Sequence, residues 1–154
     1  DAAAMQTWRD AMPGYDVIGF EYPGERTPLY SYPNTILCRS FHVWDPEMLF
    51  LSHKRLEGDQ TEAEAYPVAV LIRDYSNAGL VAENLEDVWR VAGGEWNRSK
   101  LVKTDRPERY RGNIAGPRND DHVEYYITAT DRSGRTQTHP PVAPRGVHEF
   151  KVAR

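Results

Sequence analysis

No second cysteine accompanies Cys38 anywhere in the 154 residues, so an intramolecular disulfide is excluded and the fold must rest on burial of apolar surface. No apolar run reaches the roughly 18 residues that a bilayer-crossing helix needs, so no membrane span is expected. Acidic and basic residues are interspersed and sum to a net charge of -4. Without a basic block or stripe, no nucleic-acid partner and no anionic-membrane surface are expected. The five histidines show no zinc-ligand spacing with one another or with Cys38, so no metal is expected. Gly93-Gly94 is followed by neither the Lys-Ser/Thr pair nor the helix of a phosphate loop. "NDD" and "DRSGR" miss the spacing of a calcium loop and read as turns. No cofactor is expected from these segments.

The residues that are abundant suggest two differently textured parts. Ala4, Met5, Trp8, Ala11 and Met12 recur at helical spacing behind Asp1, which suits an N-cap, and Pro13-Gly14 stops the helix. A chain that begins inside a helix implies a processed subunit, or a fragment whose N-terminal partner was once attached. "YDVIGFEY" (Tyr15 to Tyr22) reads as a short strand, "PGERTPLYSYP" as a Pro/Gly loop, and "TILCRSFHVW" as a short helix or irregular segment. "EMLFLSHKRL" (Glu47 to Leu56) reads as a buried strand running into a polar tail. The acidic "EGDQTEAEA" (Glu57 to Ala65) reads as a linker.

Beyond it, strand and turn signals alternate. "YPVAVLIRDYS" is a strand, and "EDVWRVAGGEWNRSKLVKT" is a hairpin about Gly93-Gly94. Val123, Tyr125, Ile127 and Ala129 alternate with Glu124, Tyr126, Thr128 and Thr130, which is a strand with one face in the core. "DRSGR" is a tight turn and "VHEFKV" a last strand. The expected organisation is an α/β part over residues 1–58 and an all-β sandwich over residues 64–154. His122, His139 and His148 fall at loop or strand-edge positions and are expected to be exposed and without a catalytic role. Trp89, Trp96, Tyr125 and Tyr126 admit two readings, a sugar-stacking face or core and cross-strand pairs.

Cys38 also admits two readings. A lone thiol behaves as a small buried hydrophobe. The same thiol follows a long Pro/Gly loop, beside Arg39 and near His42. A positive neighbour favours the thiolate, the reactive species, which suits a nucleophile.

The segments "AMPGYDVIGFEYPGERTP", "NTILCRSFHVWDPEMLFLSHKRL", "DHVEYYITATDRSGRTQTHP" and "HEFKV", in this order, resemble the C-terminal half of the bacterial secreted peptidylarginine deiminases. The resemblance covers essentially the whole chain. It implies an α+β architecture: the last blade of a pentein-like α/β-propeller, followed by an immunoglobulin-like sandwich. It implies that Cys38 is the nucleophile that attacks the guanidinium carbon of arginine, so that ammonia leaves and water resolves the thiouronium to citrulline. The substrate would be an arginine-containing peptide or a small guanidine, and the location secreted or cell-envelope. The family's Asp, His and Asp partners lie N-terminal to the region covered here, so an N-terminal catalytic segment is the implied partner. Trp8, Met12, Ile18, Phe20 and Leu49 are expected under that partner. Two positions depart from the pattern. Leu37 stands where the family usually has His, and about Pro33 falls where a small polar residue lines the substrate entrance. These departures keep a second reading open, a non-catalytic immunoglobulin-like assembly subunit of an inactive relative.

Overall fold

The structure, a computed structural model, describes residues 2–11, 16–19 and 45–153. The chain divides into two compact units, Asp1–Asp45 and Pro46–Arg154.

In the first unit, helix α1 (Ala2–Ala11) forms where three alanines open a run of good helix formers. Gln6 Nε2 donates to Asp10 Oδ1 one turn on (2.7 Å), and Arg9 lies in the last turn, where the helix dipole favours a cation. The helix buries no residue, and Trp8 and Ile18 are 56% and 70% exposed. Residues 16–19, part of the expected strand, carry no regular structure. The rest of that strand, the Pro/Gly loop and the Cys38 segment lie outside the described residues.

The second unit is an all-β sandwich. One sheet has the order β1-β3-β7-β6, from β1 (Leu49–His53), β3 (Ala65–Asp74), β7 (Arg109–Ala115) and β6 (Val102–Lys103), all neighbours antiparallel. The other has the order β2-β10-β8-β4-β5, from β2 (Asp59–Thr61), β10 (His148–Ala153), β8 (His122–Thr130), β4 (Glu86–Val91) and β5 (Asn97–Lys100). In that sheet β9 (Thr136–His139) pairs with the second half of β8. The core lies between the sheets. Tyr66, Val68, Val70 and Ile72 of β3 face Val123, Tyr125, Ile127 and Ala129 of β8, joined by Ile114, Phe150 and Val152. The alternation read in β8 is the observed one, since all four of its core residues are fully buried. The hairpin read about Gly93-Gly94 is β4 paired to β5.

The sandwich begins earlier than the sequence boundary at 58–64. Leu49 and Leu51 of β1 are buried in its core, and β1 pairs with β3 along its length. Leu49, expected beneath an N-terminal partner, is instead covered by the sandwich, because strand alternation turns Leu49 and Leu51 inward and Phe50 and Ser52 outward. The acidic run is no free linker either. Its residues 59–61 form β2, parallel to β10, with the acidic side chains on the solvent side. Among the described residues, no helix is long and apolar enough to cross a membrane.

Two Asp-x-Ser loops close one end of the sandwich. Asp131 Oδ1 accepts from Ser133 N–H (2.9 Å) and Arg135 N–H (3.0 Å), with Gly134 at φ 87°. Asp74 accepts from Ser76 N–H (2.9 Å) and Gly79 N–H (2.7 Å). Arg132 N–H donates to Gly79 O (2.8 Å) and joins the two loops. Turn chemistry therefore accounts for "DRSGR", as its sequence indicates.

Candidate functional site

Cys38, Leu37, Arg39, His42 and Pro33, which carry the catalytic expectation, lie outside the described residues. The polar constellation that the structure does assemble continues the core-facing phase of its strands, where inward positions run out of apolar residues. Inward alternation along β1 goes Leu49, Leu51, His53, and backwards along β10 it goes Val152, Phe150, His148. His139, the last residue of β9, pairs with inward-facing Ile127. His53 from one sheet thereby meets Tyr125, His139 and His148 from the other.

The hydrogen bonds define protonation at His53. Ala69 O can only accept, so His53 Nδ1 (2.7 Å) carries the proton. In the neutral ring Nε2 then accepts, from the Tyr125 hydroxyl at 2.8 Å. That hydroxyl oxygen accepts in turn from Leu56 N–H (2.7 Å). The relay runs Leu56 N–H to Tyr125 O–H to His53 to Ala69 O, with each group in one role. Burial lowers the His53 pKa against the opposing bond to Ala69. Burial raises the Tyr125 pKa to about 12, although the Leu56 N–H acts in the other direction.

The second pair is His139 Nδ1 against His148 Nε2 at 2.8 Å, rings tilted by 32° with centroids 5.0 Å apart. His53 lies 5.9 Å from His139 and 5.6 Å from His148, centroid to centroid. Tyr125 lies 5.2 Å from His148. Burial, then the neighbouring charge of His53, lowers the His139 pKa. Burial lowers that of His148 to about 4, with His139, His53 and Arg55 adding to the effect. The expectation that His139 and His148 are exposed is therefore corrected, because both are core-facing and half-buried. His122 is exposed, as read, and pairs with Glu149 at 3.3 Å on the outer face. Among the described residues, no group of three or more His, Cys, Asp or Glu is placed to share a metal ion. Three of the nitrogens that converge here are engaged with one another or with Tyr125, which explains why three neighbouring histidines do not make a ligand set.

The four aromatics singled out above separate by face. Tyr125 is in the core and Trp89 packs against it. Trp96 and Tyr126 meet edge to face at 5.3 Å on the outer surface. The Arg90 guanidinium sits 4.3 Å over the Trp96 ring and bonds Glu124 at 2.5 Å. The cross-strand reading fits this arrangement, since the two rings and the guanidinium engage one another. Arg90→Ala is expected to cost about 1 kcal/mol through the lost cation–π contact and ion pair, and Arg90→Lys about half of that. Urea unfolding followed by tryptophan fluorescence measures both, and an unchanged midpoint for Arg90→Ala would refute the contribution.

Asp87 is the feature that no sequence signal exposed. It is fully buried on the inward phase of β4, opposite Ile127. Neither carboxylate oxygen has a hydrogen-bond partner among the described residues. Burial pushes its pKa up to about 6, opposed by its own backbone N–H and assisted by Glu86.

No family model matches the chain. Among solved structures it is similar to the Br derivative of BhCBM56, with 11% identity over 73% of this chain and 97% of that chain and a TM-score of 0.39. It is also similar to murine CRIg, with 10% identity over 68% of this chain and 97% of that one, again at a TM-score of 0.39.

Proposed function

We propose that the chain is the C-terminal segment of a protein-arginine deiminase-like hydrolase acting on guanidine groups. Residues before the sandwich form the last blade of its α/β-propeller, and the sandwich is its immunoglobulin-like module. The observation that supports this most directly is the exposure of large apolar side chains among the described residues of the first unit. Helix α1 carries a core-type stripe yet buries nothing, and Trp8 and Ile18 are open to solvent. Exposed side chains of this size suit a surface that an N-terminal catalytic segment covers. The ordered motifs around Cys38 support the chemistry.

In this reading the Cys38 thiolate attacks the guanidinium carbon of arginine. The tetrahedral adduct expels ammonia, leaving an S-alkylthiouronium. Water adds, the C–S bond breaks, and citrulline and the thiolate are released. Two carboxylates and a His of the N-terminal segment hold the guanidinium and move the protons. The strand that follows the Cys38 segment, β1, is anchored by Leu49 and Leu51 in the sandwich core. The substrate is an arginine-containing peptide or a small guanidine, and the location is secreted or cell-envelope.

Leu37, where the family usually has His, favours a second reading: a non-catalytic assembly subunit of an inactive relative. One experiment separates the two. The chain is combined with its N-terminal segment, and citrulline formation is measured from peptidyl-arginine and from agmatine. The catalytic reading expects product that Cys38→Ala abolishes, by about a thousandfold or more. Stable association without product from either version supports the assembly subunit. Equal product from both versions overturns Cys38 as the nucleophile.

A further inference from the structure

We propose that His139 and His148 form an acid-sensitive latch at the base of the loop between β9 and β10, closed by one N–H···N hydrogen bond and forced open when both rings are protonated. The position is the first argument. His139 is the last residue of β9 and His148 the first of β10, so their bond spans the mouth of the loop, residues 140–147. Among the described residues, the backbone hydrogen bonds of the loop run within it: Ala143 N–H to Pro140 O, Arg145 N–H to Val142 O and Gly146 N–H to Val142 O. They give the loop its own shape, and at its first residue the Thr138 hydroxyl of β9 donates to Pro140 O (3.0 Å).

The chemistry of the pair is the second argument. At 2.8 Å one ring nitrogen donates and the other must offer a lone pair. A first proton from solvent takes the remote nitrogen of the donating ring, since the accepting ring already carries its proton on its own remote nitrogen, and leaves the hydrogen bond intact. A second proton removes the accepting lone pair and sets two N–H groups and two charges head to head. The bond is then replaced by repulsion, so the latch titrates as a coupled pair.

The surroundings resist charge from every side. From β1 comes His53, with both nitrogens engaged. From β8 comes Tyr125, whose hydroxyl serves His53 and Leu56. Arg55, on the segment after β1, adds positive charge, and Glu57 beside it is bonded to Arg55 at 2.8 Å. His122 and Glu149 pair with each other on the outer face. Burial disfavours the charged form of all three inner histidines. Opening therefore belongs to acidic conditions, near the value of about 4 to which burial lowers His148.

Hydrogen exchange read as protection factors at pH 7 and pH 4 tests the latch. Protection at Ala143, Arg145 and Gly146 is expected to fall at pH 4 by about tenfold or more beyond any change at Val68 and Ile127, which report global stability. In His148→Phe, which retains a ring beside Tyr125, the difference between the two pH values is expected to vanish. His139→Gln, which keeps a donor and an acceptor but takes no proton, serves the same purpose if His148→Phe does not fold. The proposal is overturned by unchanged loop protection in the wild type, or by a loop loss no greater than that of the core. A pH step that persists in the variants also overturns it, as do two independent ring titrations near pH 6.5 in NMR.

Discussion

Asp87→Asn is expected to match the wild type within about 1 kcal/mol near pH 4.5 and to exceed it by about 2 to 3 kcal/mol at pH 7.5. The Asp87 carboxyl is pushed up to about 6 inside the fold, from an ordinary value of 3.8, chiefly by burial. Between those two values the folded state holds a proton that the unfolded state has released. Stability therefore falls as pH rises from about 4 to about 6, by roughly 1.4 kcal/mol for each pH unit, and is flat beyond. Asparagine removes that slope, because it is uncharged in both states. Chemical denaturation at the two pH values measures the effect, and a constant offset between the two proteins would sink it. The histidines act in the opposite sense. Their folded values lie below the unfolded ones, so stability is full above about 6.5 and is lost as pH falls towards 4. In the wild type the two slopes oppose each other, and in Asp87→Asn the acid-side loss stands alone.

The facing residue gives a structural check on the same site. A Cβ on Gly112 would lie 2.6 Å from Asp87 Oδ1 and 2.9 Å from Leu101 Cδ2. Gly112→Ala alone is expected to cost about 1 to 3 kcal/mol by overpacking. Combined with Asp87→Ala the two changes should be markedly non-additive, since the second removes the atom that the first collides with. Additive losses would mean that Asp87 does not define the space at Gly112.

Tyr125→Ala is expected to lose about 5 kcal/mol, a large part of the 5 to 15 kcal/mol that holds an ordinary domain together. Tyr125 is fully buried, packs at 6.0 Å against Phe150 and closes the relay between Leu56 and His53. Tyr125→Phe separates the two contributions. It keeps the ring and leaves Leu56 N–H and His53 Nε2 without their hydroxyl, for about 2 kcal/mol. Equilibrium unfolding of both variants checks this. A Tyr125→Phe protein within about 0.5 kcal/mol of the wild type would mean that the hydroxyl is replaceable by solvent.

Much of this molecule is legible locally, because strand alternation and turn chemistry are properties of neighbouring residues. Val123, Tyr125, Ile127 and Ala129 declare their buried face without reference to any other strand, and Asp131-Arg132-Ser133-Gly134 declares its turn. "EGDQTEAEA" misleads because its composition is that of a linker, while its backbone is free to pair with β10 whatever its side chains. β1 misleads because its apolar residues would suit a core on either side of the acidic run. Asp87 and the histidines were illegible for a further reason. His139 and His148 read as exposed strand-edge residues because each stands at the very end of its strand, and nothing local says that they and His53 point at one another. That depends on the register of β9 and β10 on β8, and on the β1 edge of one sheet lying over the β9–β10 edge of the other. Local residue order specifies faces and turns through side-chain direction. Which faces meet, and so which polar groups lose water and shift their protonation, is settled by the packing of two sheets whose strands are far apart in the chain.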